Sequence, residues 1–290
     1  MRQLRLLLLA FFVVVAAFFT FTYVRERMNT DYNAPNIQAE SETISIPVAA
    51  TDEDLLAGMT AYDKRDGDVT DTLVVVSRSK FIDKGVFWVN YAAFDSNNNV
   101  ALYSREATFT DYVSPHFSMK EPLRYASGGS APDYLANITA VDCVDGDITR
   151  QVKITMGSKE AASDTVTRQN VNIQVTNSCG ETASLDLTVS MEEYSTLNRP
   201  APALRDYVLY VKKDGSLNLA GNVIGIWAGG NTRSFSGTSF SEEDVAIYDE
   251  GLDLHTPGVY RVVYQLVQYE EYYDEPTNYG TAELIVVVEE

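Results

Sequence analysis

The sequence predicts an all-β chain, three tandem β-sandwiches set behind one N-terminal transmembrane helix. Three observations predict it. Beyond residue 35 the chain runs in stretches of four to eight β-formers divided by turn residues, with no sustained 3.6-residue apolar period. The stretch at 60–70, TAYDKRDGDVT, returns at 139–149 as TAVDCVDGDIT. Residues 6–24, LLLLAFFVVVAAFFTFTYV, carry no charge.

At ~1.5 Å per residue that apolar stretch reaches ~28 Å, the hydrocarbon thickness of a bilayer. Arg2 and Arg5 precede it. Cleavage near Val15-Ala16-Ala17 would strand an apolar Phe18 and its neighbours on the mature end, so an uncleaved signal anchor is expected. Arg25 and Arg27 on the far side leave orientation to other arguments. The predicted organisation is a cytoplasmic stub and anchor helix over 1–28, a linker over 29–34, and sandwiches over 35–113, 114–198 and 199–290.

The repeat sets these limits. Pro35 pairs with Pro115 (115 − 35 = 80), Thr60 with Thr139 (79) and Val89 with Val171 (82). Near-constant offsets over a whole unit mark duplicated domains, with a period too long for a solenoid turn. In the first unit the β-former runs predict strands over 43–48, 72–76, 86–94 and 100–111, with one helical turn over 53–56. SNNN at 96–99 predicts a tight hairpin turn, because Asn tolerates the left-handed backbone. NRPAP at 198–202 reads as a proline-stiffened linker.

The third unit keeps only the later half of the pattern. Its GVYRVVY at 258–264 matches GVFWVNY at 85–91, and 283–288 supplies a closing strand. The glycine-rich stretch at 220–239 lacks GxxxxGK[ST] and reads as a strand and a long loop, not a phosphate cradle.

Charge and residue inventory exclude several functions. Lys+Arg 22 against Asp+Glu 41 gives −19, which argues against a nucleic-acid partner. Two cysteines and two histidines, without CxxC or HxxxH spacing, leave no zinc site. They also leave little material for acid–base or nucleophilic catalysis, and no enzyme is expected. His116 and His255 both read as surface residues.

Asp63, Asp66 and Asp68 surround Gly67, as Asp142, Asp145 and Asp147 surround Gly146. Such a turn serves as a hydrogen-bonded corner, or its hard oxygens form part of a calcium shell completed by other ligands such as Asp95. No other cofactor is expected. In an exported chain the two cysteines, Cys143 and Cys179, are expected to pair. That bridge would bring the acidic turn to the late hairpin turn. In the first unit the same meeting would bring Asp95 and Asn97 towards Asp63, Asp66 and Asp68. A tyrosine-rich acidic loop carries Tyr269, Tyr272, Tyr273 and Tyr279, residues suited to stacking on a sugar or touching a protein. The other reading of that loop is a long hairpin with alternating core and surface tyrosines.

These motifs resemble the bacterial immunoglobulin-like domains found in tandem on cell-surface proteins of Gram-positive organisms. The matching residues are Ala61, Asp63, Asp66 to Thr70, Gly85 to Tyr91 and Asp95 to Asn99 in the first unit. In the second they are Ala140, Asp142, Asp145 to Thr149 and Asn177 to Gly180, and in the third only TPGVYRVVY at 256–264. The first unit has Asn98 at the usual hairpin glycine, and the second has Asn177 at the usual aspartate. The resemblance implies immunoglobulin-like sandwiches and an extracellular chain held to the cell membrane through residues 6–24. It implies a stalk or adhesion role, with the divergent third unit as contact domain for a surface protein. The alternative is a glycan- or envelope-polymer-binding module using the tyrosine loop.

Overall fold

The computed structural model describes residues 2–29, 32–129, 132–268 and 277–290. Helix α1 (Arg2–Asn29) opens the chain and contains the apolar stretch, long and apolar enough to cross a bilayer. The chain then divides into two compact units, Met1–Tyr112 and Val113–Glu290.

The first unit carries strands β1 (Asn36–Ala39), β2 (Thr43–Ile46), β3 (Met59–Asp63), β4 (Gly67–Asp68), β5 (Val74–Arg78), β6 (Val86–Phe94) and β7 (Val100–Phe109). The second unit continues with β8 (His116–Met119), β9 (Arg124–Ala126), β10 (Ile138–Asp142), β11 (Gly146–Asp147), β12 (Lys153–Ser163), β13 (Val166–Thr176) and β14 (Thr182–Glu192). It closes with β15 (Ala201–Leu204), β16 (Val208–Lys212), β17 (Val223–Ala228), β18 (Asn231–Arg233), β19 (Val245–Tyr248), β20 (Gly258–Gln268) and β21 (Thr277–Glu289).

The sheet orders repeat. In the first sandwich β1-β3-β4 faces β2-β7-β6-β5, in the second β11-β10-β8 faces β12-β13-β14-β9, and in the third β15-β17-β18 faces β16-β21-β20-β19. In each, one short early strand joins the last strand in parallel: β2 with β7, β9 with β14 and β16 with β21. All other pairings are antiparallel among the described residues. The chain is thus three tandem immunoglobulin-like sandwiches, and the third is built like the others although it lacks the acidic motif.

The shared GVxxVxY signature has a structural reason. Tyr91 and Tyr264 are fully buried in the middle of β6 and β20. Their hydroxyls donate to the Leu55 carbonyl (2.9 Å) and the Leu219 carbonyl (3.0 Å), pinning a loop over each core. Burial pushes both phenols up, that of Tyr264 to about 12. Ile173 takes the position in the second sandwich and packs without a hydroxyl.

Local chemistry moved several expected boundaries. The strand expected over 72–76 begins at Val74, because Thr70–Thr72 form a 3-10 turn. The strands expected over 43–48 and 100–111 end at Ile46 and Phe109. The helical turn is Asp52–Leu55, closed by a capping box between Thr51 and Asp54. The linker expected over 198–202 is not free chain. Ala201 and Pro202 already belong to β15 and are buried. Pro202 is tolerated because β15 lies at the edge of its sheet. Gly225 sits in β17 at φ +151°, next to Ile224, the extra residue that bulges β17 against β15, and a Cβ there would overlap the Arg233 carbonyl.

The second and third sandwiches share one continuous core. Phe117, Met119 and Ile138 join Tyr207, Val208 and Ile285 in a single cluster. The Tyr207 N–H donates to the Met119 carbonyl (2.9 Å) and the Phe117 N–H to the Tyr210 hydroxyl (2.9 Å). His116, expected at the surface, is half-buried here. It stacks on Tyr210 at 3.8 Å and its Nε2 meets Glu289 at 2.9 Å. His255 is exposed, and its pKa is raised by a hydrogen bond to the Asp214 carboxylate (2.6 Å).

The outer face of the first four-stranded sheet carries an apolar row that the fold does not require. Val74, Ala92 and Leu102 lie in register, beside the pair Phe94–Val100, and Leu102 is 76% exposed. The same registers in the second sandwich hold Lys153, Gln174 and Ser184, beside Thr176–Thr182. Leu102→Ser and Val74→Lys are therefore expected to change unfolding free energy by no more than about 0.5 kcal/mol. Denaturant titration checks this, and a loss of about 2 kcal/mol would mean that the row is packed against something.

Candidate functional site

Each residue of the duplicated acidic motif has an identifiable task. Asp63 is 1% exposed, and its Oδ1 accepts the N–H groups of Arg65 (2.7 Å) and Asp66 (2.9 Å). Asp142 does the same for Val144 and Asp145, both at 2.9 Å. Gly67 and Gly146 turn the chain at φ +84° and +72°, where a Cβ would be strained. Asp68 and Asp147 accept the N–H of Thr70 (3.0 Å) and Thr149 (2.9 Å), and these threonines hold their carboxyls below the usual range. Val69 and Ile148 enter the cores. Finally Thr70 and Thr149 accept the N–H of Ala61 and Ala140 at 3.0 Å.

The central aspartate reaches the late hairpin. Asp66 accepts the Ser96 N–H (2.8 Å) and hydroxyl (3.0 Å), and Asp145 accepts both donors of Ser178 at 2.6 Å. In the hairpins, Asp95 accepts the N–H groups of Asn97 (2.9 Å) and Asn99 (2.7 Å). Asn177 likewise accepts the Glu181 N–H (2.9 Å) and in addition donates its amide to Asp142 at 3.1 Å. Asp63, Asp66, Asp68 and Asp95 are thus turned to N–H and O–H donors. Among the described residues no three carboxylate, imidazole or thiol groups converge as a metal-holding set.

The expected Cys143–Cys179 bridge is not formed. The Cys143 thiol donates to the Val113 carbonyl (3.0 Å) and accepts the Val113 N–H (3.4 Å). Burial pushes the Cys179 thiol up, away from the reactive thiolate.

Of the tyrosine loop, Tyr269, Tyr272 and Tyr273 lie outside the described residues. Tyr279 is described. Its hydroxyl lies 3.4 Å from the Gln268 amide oxygen and its ring meets Phe240 edge-on at 5.0 Å.

Tyr279 also lines a cleft that the sequence reading missed. The cleft lies in the second unit, between the outer face of the β12-β13-β14-β9 sheet and the β15, β17 and β21 strands, with a volume of about 340 Å³. Its floor is one row across four strands. Glu160 pairs in register with Arg168, Arg168 with Ser190, and Ser190 with Arg124. Arg124 is fixed. Its guanidinium makes two 2.7 Å bonds to Glu192, whose side chain is 5% exposed, and lies 4.4 Å over the Trp227 ring. Arg261 ties the walls together through Glu283, the Thr188 hydroxyl (3.5 Å) and the Asp186 carbonyl (3.2 Å). No pairwise signal in the sequence links these positions, because they come from strands far apart in the chain.

No family profile matches the chain, and no curated protein matches it. Solved structures do match. One is the CBM51-2 and INT domain structure from Clostridium perfringens ZmpB, a complex with GlcNAc, at 19% identity over 52% of this chain and TM-score 0.22. Another is the protocadherin GammaB4 extracellular domain, at 11% identity over 90% of this chain and TM-score 0.21. Human CDH23 EC21-23 matches at 14% identity over 88% of this chain and 100% of its own length, with TM-score 0.20. The chain spans 26% of the clostridial structure and 50% of the protocadherin.

Proposed function

We propose that this chain is a non-catalytic surface interaction module, anchored in the cell membrane by α1 with its sandwiches outside. The first sandwich serves as a stalk, and the cleft shared by the second and third sandwiches is the contact site. The observation that carries the reading is that cleft. A stalk joint needs only a packed interface, whereas this joint keeps about 340 Å³ open beside the stacked Arg124–Trp227 pair. The acidic motifs take no part in contact, since their carboxylates are spent on the turns that hold each sandwich closed.

Two measurements test this. Protease added to intact cells should remove the 32–290 portion and leave α1 with the membrane. Labelled full chain in detergent micelles should bind isolated envelopes saturably, and Ser190→Trp, which fills the cleft, should abolish that binding. Binding that survives Ser190→Trp would overturn the contact site, and protection of the sandwiches from protease would overturn the orientation.

A further inference from the structure

The floor of the cleft is chemically incomplete. Among the described residues the side chains of Glu160, Arg168 and Ser190 make no hydrogen bond or ion pair, although they stand side by side in one register row. Thr281 on the opposite wall likewise has no side-chain partner. The other polar groups nearby are committed. Arg124 is held by Glu192, Glu283 by Arg261, and the Asn170 amide donates to Ser158 (3.0 Å).

Four uncommitted groups of different kinds therefore face one small volume. Arg168 offers a planar fork of N–H donors that matches a carboxylate. Glu160 accepts from hydroxyls, and Ser190 and Thr281 both donate and accept. The Tyr279 wall adds apolar surface suited to the face of a pyranose ring, while the Trp227 ring, buried beneath the Arg124 guanidinium, backs the cleft. The volume falls at the small end of the range for small-molecule pockets, whereas a protein partner needs ~800 Å² of contact on each side. A neutral saccharide would leave the planar Arg168 fork without a carboxylate to match it. A polyphosphate would set several negative charges against Glu160, Glu192 and Glu283 where a single carboxylate sets one.

We propose that the cleft binds a short acidic saccharide, with its carboxylate on Arg168 and its hydroxyls on Glu160, Ser190 and Thr281. This rests on the reading of the cleft as the contact site and names the ligand class for it.

The test uses the full chain in micelles carrying Trp88→Phe, which leaves Trp227 as the one tryptophan. An oligogalacturonate is titrated while Trp227 fluorescence is followed, beside its carboxyl-reduced neutral counterpart and a polyphosphate. Saturable binding of the oligogalacturonate is expected, at least about tenfold tighter than the neutral oligomer, with Arg168→Gln removing that preference. Ser190→Ala should weaken both saccharides alike, and Leu102→Ser, outside the cleft, should change nothing. Equal affinity for acidic and neutral oligomers, tighter polyphosphate binding, or an unaltered Arg168→Gln variant would overturn the proposal. If no saccharide binds while envelope binding still depends on an open cleft, the ligand class is wrong and the contact site stands. If neither binds, both fail.

Discussion

Arg124→Ala is expected to destabilise the 113–290 unit by about 3–5 kcal/mol, the largest single-residue effect foreseen outside the aromatic core. The substitution removes both bonds to Glu192 and leaves a carboxylate 5% exposed without a counter-charge. It also uncovers the Trp227 ring on which the guanidinium lies. Because the pair joins β9 and β14 of the second sandwich to Trp227 of the third, the loss is expected to loosen the two sandwiches together. Denaturant unfolding of the full chain, followed by Trp227 fluorescence in the Trp88→Phe background, measures it. The double change Arg124→Leu with Glu192→Leu should recover much of the loss, since replacing both ions by apolar groups removes the buried unpaired charge. A loss below about 1 kcal/mol in the single variant would show that water screens the pair.

Asp142→Ala is expected to cost about 3 kcal/mol in the same unit. One carboxylate, 2% exposed, satisfies the N–H groups of Val144 and Asp145 and the amide of Asn177. Each charge-assisted bond contributes roughly 1.5–3 kcal/mol, and part returns when water reaches the opened turn. Asp142→Asn should fall in between. Its oxygen still accepts the two backbone donors, but its amide then opposes that of Asn177. A calorimetric melt separates the three forms, and an Asn variant as unstable as the Ala variant would refute this division of labour. Asp68→Ala, at an exposed carboxylate serving one turn, should melt close to the parent.

The sandwich class was legible because its causes are local. Runs of β-formers, Asn and Gly at turns and a duplicated eleven-residue corner act over a few residues. The corner itself was legible, but the sequence left open whether its aspartates hold turns or a cation. In the structure Asp63 and Asp68 bond within their own turn and Asp66 reaches Ser96 of the late hairpin. Where the reading went astray, a distant partner intervened. His116 left the surface because Tyr210 and Glu289, nearly a hundred residues or more away, closed over it. Cys143 turned to the Val113 backbone instead of to Cys179. Ala201 and Pro202 of the expected linker became buried strand because Trp227 and Ile226 pair with them.

By itself the sequence determined the apolar helix, the β-sandwich class, the repeat and the acidic corner, all of which depend on neighbours within one turn or one strand. Only the tertiary structure decided that the third sandwich shares the strand order of the first two without their motif. Only it fused the second and third through one core and left a cleft at their junction. Glu160, Arg168, Ser190 and Arg124 become one row solely through strand register, and Trp227 reaches Arg124 solely through packing. Register and packing are set by the buried faces of whole sheets, so no short stretch of sequence carries them.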